Sequence, residues 1–427
     1  MFFKEFPLPS DPIFPSYTVN IKDFGAEENK KTDAISLAIE HVSKNGGGKV
    51  IIPKGEWLTG QIHLKSNIEL HLEDGAKVAF SKNPEDFLPV VFTMYEGMRC
   101  YNYSPLIYAN EVENVAVTGR GIFDGNGEEW WKWAKNMTAR DILYSGALPL
   151  EKRIFGTPEY GLRPMMLQIL NGKNVLIDGI TLCNSPCWTL NLVWCKDSIV
   201  RNVTIDNPTV SPNTDGINIE SCNRVIVEDC TVITTGDDMY CLKAGRNEDA
   251  WEVGIPCENV IIRRCRSLGP SRSGSIAIGS EMSAGVRNIL AEDCEFEYNI
   301  NCVRIKSKDG RGGVVENVDF KNLHMKKGMR GINISYRYSC EARDDAKEPG
   351  KYMPIVRNIS FENIVCDSVQ TGITLDNLPN GTMENLHFKD ISMNADKCMA
   401  TDSVKGLYME NVNLTEVPGA GANLYDE

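Results

Sequence analysis

The sequence predicts an all-β fold, a parallel β-helix, on three observations. One pattern recurs along the chain: apolar, any, apolar, two polar, apolar, any, apolar. Its period of two marks short strands, and the polar step marks a sharp bend between them. The repeats return after 21 to 41 residues, too close and too irregular for the blades of a β-propeller. A unit of two or three short strands cannot bury its own inner face, but a stack of them can.

From the N-terminus, residues 17–60 read as a cap region. Thr32 to Lys44 places Ile35, Ala38, Ile39 and Val42 on one helical face and ends at Asn45-Gly46-Gly47-Gly48. Such a helix suits the exposed first rung of a solenoid. Coils are expected over residues 61–420. Repeat anchors stand at Val175, Ser198, Val225, Val260, Ile289, Val318, Ile359, Leu386 and Leu407. The slot five residues after each anchor faces the core. Cys230, Cys265 and Cys294 hold it in three repeats, so they read as free buried thiols that behave as small hydrophobes. No CxxC pair or Cys/His cluster points to a metal. Two stretches interrupt the rhythm as loop insertions: residues 126–165, with Trp130, Trp131 and Trp133, and residues 339–354.

The 427 residues carry 45 Lys+Arg against 58 Asp+Glu, a net charge of −13. That argues against a nucleic-acid partner, which needs a basic face. No apolar run is long enough to cross a membrane. Lys4, Glu5 and Pro7 interrupt the N-terminus where a secretory core would stand, which leads to an expectation of a cytoplasmic protein, or a periplasmic or secreted one if the chain is a trimmed mature form.

Asn213-Thr214-Asp215-Gly216 and Gly236-Asp237-Asp238 lie about one coil apart. Residues one coil apart stack at roughly 4.8 Å, so Asp215, Asp237 and Asp238 converge. Crowded carboxylates raise at least one pKa and keep a proton available, as a glycosidase acid requires. Turns also use Asp and Asn routinely, so these residues alone leave a structural role open. Lys243 follows. Then come Arg304 and Lys306, which alternation places together on the outer strand face with Ile305 inward.

The ordered set resembles glycoside hydrolase family 28, the polygalacturonases, and is closest in pattern to bacterial exo-acting galacturonidases. It comprises Asp23 to Ala26, Asn184 to Leu190, Asn213 to Gly216, Gly236 to Asp238, Lys243 to Arg246, Ile278 to Met282 and Arg304 to Lys306. The resemblance implies a right-handed β-helix and inverting hydrolysis of α-linked galacturonic acid without a metal or other cofactor. It further implies that Asp237 protonates the leaving oxygen and that Asp215 and Asp238 activate water, an inverting pair standing roughly 6.5–9.5 Å apart. Arg304 and Lys306 would grip a galacturonate carboxylate, with Asn213, Lys243 and Tyr338 lining the site.

One departure stands out. The family usually carries Gly-His-Gly before the Ile278-Gly279-Ser280 strand, and here that histidine slot falls on Ser273 or Gly274. Arg272 is a candidate replacement. The 126–165 insertion is expected to close one end of the groove and favour exo action on acidic oligosaccharides. Three other readings stay open: a hydrolase of rhamnogalacturonan fragments, a β-helix polysaccharide lyase, and a carbohydrate-binding β-helix without activity. Between residues 300 and 338, nine basic residues face three acidic ones, a local reversal of the overall charge that suits a short acidic substrate.

Overall fold

The computed structural model describes residues 1–135, 137–338 and 347–421. Its strands form a parallel β-helix in which each strand pairs with its counterpart one coil later. The repeat anchors align in one column. Val175 pairs in register with Ser198, then Val225, Val260, Ile289, Val318, Ile359, Leu386 and Leu407. The column extends two coils earlier, through Ile68 and Val115. Strand Gly48–Ile52 already pairs in parallel with Ile68–Leu72, so the stack begins before the expected boundary at residue 61.

The polar step has a single backbone cause. Its second residue lies at positive φ in every repeat, from Gly179 and Asn202 through Asp229, Arg264, Asp293, Asn322, Asn363 and Asp390 to Asn411. Asn, Asp and Gly tolerate that left-handed region best, which is why they dominate the step. The residue before each anchor makes a similar turn, and its side chains form ladders. Asn174 donates to Asn114, Asn288 to Asn259 and Asn358 to Asn317, at 2.6, 2.6 and 3.0 Å.

The inward column is apolar throughout. Phe320, Phe361 and Phe388 stack with ring centroids about 5 Å apart. Cys230, Cys265 and Cys294 are buried free thiols, as are most other described cysteines. Helix Ala34–Lys44 buries Ile35, Ala38, Ile39 and Val42 against the first strands.

Residues 126–135 and 137–165 include short helices, Glu128–Trp131 and Met137–Tyr144, beside a hairpin of strands Val91–Tyr95 and Met98–Asn102. The tryptophans pack this excursion onto the coils. Trp130 is buried against Phe87, Tyr103 and Trp133, and Trp131 Nε1 donates to the Ser185 carbonyl at 2.9 Å. Of the second insertion, residues 339–346 lie outside the described residues. The N-terminal segment runs back along the solenoid. The Phe2 and Phe3 amides donate to the buried Asp319 carboxylate, and the Lys4 amide to Asn288 Oδ1.

Candidate active site

Parallel register brings the candidate residues together. Strand Ile217–Glu220 pairs with Tyr240–Lys243, which pairs with Gly274–Gly279, which pairs with the stretch ending at Lys306. Asp215 and Asp238 therefore enter successive strands at the same level, and their carboxylate oxygens come within 4.8 Å. Lys306 leaves its strand two coils further on. Ile305 points into the core, and the flanking basic side chains point outward as alternation predicts.

Each carboxylate has a different environment. Asp238 is fully covered. Its Oδ1 accepts the Gly274 amide at 2.7 Å and its Oδ2 accepts Lys306 Nζ at 2.6 Å. Burial alone would raise its pKa, but Lys306, Arg304 and Lys243 outweigh burial and hold it at about 2. Asp215 is buried beside Lys243 Nζ at 3.2 Å. Asp237 is the most open of the three. Asn213 Nδ2 reaches its Oδ2 at 3.5 Å, and its Oδ1 accepts the Asp238 amide at 2.9 Å. Burial, followed by the neighbouring Asp238 charge, raises the Asp237 pKa. Burial raises Asp215 too, against the pull of Lys243. Asp215 is raised to about 8, and the two behave as a pair that retains a proton.

A cavity of about 180 Å³ opens over these groups. That is below the range typical of drug-sized ligands, so it suits a small ring. Asn213, Asp215, Asp237, Lys243, Lys306 and Tyr338 line it, as do Glu96, Arg140, Tyr144, Trp188, Arg246 and Glu281. Asp238 supports the wall from behind. The cations beside the carboxylates come from the chain itself. Lys243 bridges Asp215 and Glu281, and Arg246 reaches Glu281 at 2.8 Å. Asp215, Asp238 and Cys241 have the donor types of a metal site, but Lys243 and Lys306 already contact the two carboxylates. A second, adjoining cleft is lined by Arg304, Lys306, Arg330, Arg337 and Tyr338 together with Asp376, and Arg337 also pairs with Asp402 at 2.9 Å. Tyr338 presents its ring to Arg304 and Lys306, 5.3 and 5.1 Å away.

Residues 153–415 match the Glycosyl hydrolases family 28 profile. The chain belongs to glycosyl hydrolase family 28. A hyperthermoactive exopolygalacturonase from Thermotoga maritima superposes with a TM-score of 0.88 at 34% identity, over 96% of this chain and 94% of that one. A probable polygalacturonase from Vitis vinifera is 28% identical over 88% of this chain and 74% of its own length. A polygalacturonase from Erwinia carotovora, 22% identical over 96% of this chain and 99% of its own with a TM-score of 0.72, shares the fold. The architecture is thus the right-handed parallel β-helix, and the protein is a family 28 glycosidase.

In this glycosidase the histidine slot is filled differently. Ser273 Oγ accepts from Arg304 Nη1 at 2.7 Å, and the Gly274 amide serves Asp238. A Cβ on Gly274 would stand 3.1 Å from Asp238 Oδ1, so a side chain there is crowded. Arg272 is exposed and does not take over the slot. Of the nine basic residues counted between 300 and 338, Arg304, Lys306, Arg330 and Arg337 line the cleft, whereas Lys326 pairs with Glu297 on the surface.

Sequence reasoning missed Glu96, Arg140, Tyr144, Arg246 and Glu281. Arg246 and Glu281 sit in motifs that carried the family resemblance, but neither motif indicates that its charge turns toward the cavity. Glu96-Gly97 joins two β-rich runs, a legible hairpin signal. Where that hairpin tip docks depends on contacts distant in sequence.

Proposed function

We propose that this glycosidase is an exo-acting, inverting galacturonidase that releases galacturonic acid from pectin-derived acidic oligosaccharides. The observation carrying this reading is the small cavity beside the aspartates, walled on one side by the 126–165 excursion and continuous in lining with a cationic cleft on the other. One sugar occupies the cavity, and the carboxylates of the following sugars lie in the cleft, where Arg304, Lys306, Arg330 and Arg337 meet them. Arg330 is half-buried, and burial together with nearby Arg304 lowers its pKa, so an incoming carboxylate relieves crowding among like charges. The Thermotoga maritima relative is itself named an exopolygalacturonase, which supports the exo-acting part of this reading.

In this reading Asp237, the most open aspartate and a member of the proton-sharing pair, protonates the leaving oxygen. Asp215, at the cavity wall, takes a proton from the attacking water. Asp238, held by Lys306 and the Gly274 amide, supports Asp215 from behind and supplies fixed negative charge for the oxocarbenium-like transition state. Product analysis tests the assignment. Saturated oligogalacturonides yield monomer as the first product, with inverted anomeric configuration by NMR. Rhamnogalacturonan oligomers run in parallel yield none. Internal fragments as first products rule out exo action, and a rise in absorbance at 235 nm rules out hydrolysis.

A further inference from the structure

The two ends of the solenoid are finished differently. Helix Ala34–Lys44 packs over the first strands and closes that end to a further coil. The other end has no such cover among the described residues. Strand Lys405–Glu416 pairs along one edge with Thr382–Thr401 and along its other edge with no described strand. Leu407, Met409, Val412 and Leu414 lie in register over buried residues of the coil below. They are not buried themselves: Met409 is 45% exposed and the other three are half-buried. The chain then turns away from this end. The Val417, Gly419 and Gly421 amides donate to the Ala395 carbonyl, Asp396 Oδ1 and Ser368 Oγ, on the two coils below. A long apolar edge with unpaired amides and carbonyls is a template for another strand.

This edge is complementary to itself. Its corner is the polar step Glu410-Asn411, with Asn411 at a φ of 51°. Apolar residues stand at equal distances on either side of the step, Met409 and Leu407 before it, Val412 and Leu414 after it. A rotation of 180° about the bisector of the corner therefore lays each arm antiparallel on the opposite arm of a second copy. Leu407 then faces the partner subunit's Leu414, and Met409 faces the partner subunit's Val412, so the apolar column runs on from one copy into the next. At both ends of the paired strands Lys405 faces the partner subunit's Glu416. The Lys405 side chain is 89% exposed and reaches its own neighbour Glu384 only at 4.0 Å, so it is available for that pairing. The two Glu410 side chains approach near the axis, each with its own Lys389 at 3.6 Å. A slip of one residue would turn the apolar set outward, and a slip of two would carry one corner past the other, so a single register satisfies both shape and charge.

We propose that this open end joins two copies of the chain end to end, strand Lys405–Glu416 pairing antiparallel with itself across a two-fold axis. Assembly stops at two, because the helix at the other end blocks continued stacking. Twelve strand residues a side fall below the roughly 20–30 of a standard stable interface, so the dimer dissociates on dilution.

Sedimentation velocity of the full chain between about 1 and 100 μM, at low ionic strength, tests the proposal. The parent is expected to pass from monomer to dimer across that range, with no larger species. Lys405→Glu and Glu416→Lys each place like charges opposite one another at both ends, and each is expected to weaken dimerisation about tenfold. The double variant exchanges the two charges and is expected to restore the parent's dimer, a recovery that a misfolded protein does not show. Met409→Lys sets a charge into the apolar column and is expected to leave only monomer. A parent that remains monomeric throughout overturns the proposal. So does a parent that dimerises only once residues 422–427 are removed, which assigns the end to that segment. A dimer that survives Met409→Lys forms on another surface, and a double variant no stronger than the single ones refutes the antiparallel register. Either result overturns the proposal, as do species that keep growing with concentration.

Discussion

Lys306 Nζ lies 2.6 Å from Asp238 Oδ2, and the two residues are 68 positions apart in the chain. Both are almost wholly buried, so the pair is desolvated and its partners depend strongly on each other. The ammonium keeps Asp238 ionised beside two carboxyls whose pKa values are raised. Lys306, with Arg304 and Lys243 behind it, thus separates three neighbouring aspartates into a fixed anion and a proton-sharing pair.

Removing that cation has a predictable sign. In the folded enzyme Asp238 titrates at about 2, below the usual aspartate value near 3.9. The pair therefore stabilises the fold above about pH 4, and this stability is lost as pH falls towards 2. Lys306→Met is expected to cost about 3–5 kcal/mol at neutral pH by leaving Asp238 unpaired. In thermal melts, the variant's deficit shrinks as pH is lowered from 5 to 2.

Asp237→Asn is expected to lower kcat by about 10²- to 10⁴-fold while leaving oligomer binding measurable. Its effect on stability runs in the opposite direction. The Asp237 pKa is raised on folding, so its contribution is favourable below about pH 4 and is lost as pH rises through the folded value. Asparagine removes that penalty. The variant's melting temperature therefore exceeds the parent's, and the gap widens from pH 4 to pH 8.

Ser273→Ala tests the residue in the histidine slot. Its hydroxyl accepts from Arg304 Nη1 and so aims that guanidinium at the cleft. Loss of a charge-assisted bond worth about 1.5–3 kcal/mol loosens Arg304. KM for trigalacturonate is expected to rise roughly tenfold or more with kcat changed less, measured from initial rates of monomer release.

Asp319→Ala tests the N-terminal segment. The buried carboxylate accepts from the Phe2 and Phe3 amides and from Ser360 Oγ. Its removal leaves those donors without their acceptor, at about 1–3 kcal/mol. The melting temperature falls by a few degrees, while kcat/KM on trigalacturonate stays within about twofold, since the contact lies away from the cavity.

The repeat was legible because each coil restates the same local rules. Val175 through Leu407 kept one register, and the polar step was readable because its left-handed residue selects Asn, Asp or Gly. The two earlier anchors, Ile68 and Val115, pair in the same column but break the pattern: Leu72 stands in the second polar place after Ile68, and Arg120 stands in the slot five residues after Val115. Asp215, Asp237 and Asp238 were legible as a group because a spacing of one coil becomes a contact in a solenoid. The roles of the tryptophans were not: whether Trp130 meets sugar or packs the excursion depends on Phe87 and Tyr103, which no local spacing places beside it.

By itself, the amino-acid sequence determined the coil, the column of aspartates and the outward pair Arg304 and Lys306, because strand alternation and one-coil stacking are local or quasi-periodic. Only the tertiary structure decided what closes the cavity. Glu96 and Arg140 arrive there on a hairpin and an excursion whose docking follows no repeat. The charge of the protein is decided in the same way. The whole chain is acidic, but folding gathers Arg304, Lys306, Arg330 and Arg337 into one cleft, and a substrate meets that local field rather than the net charge of the chain.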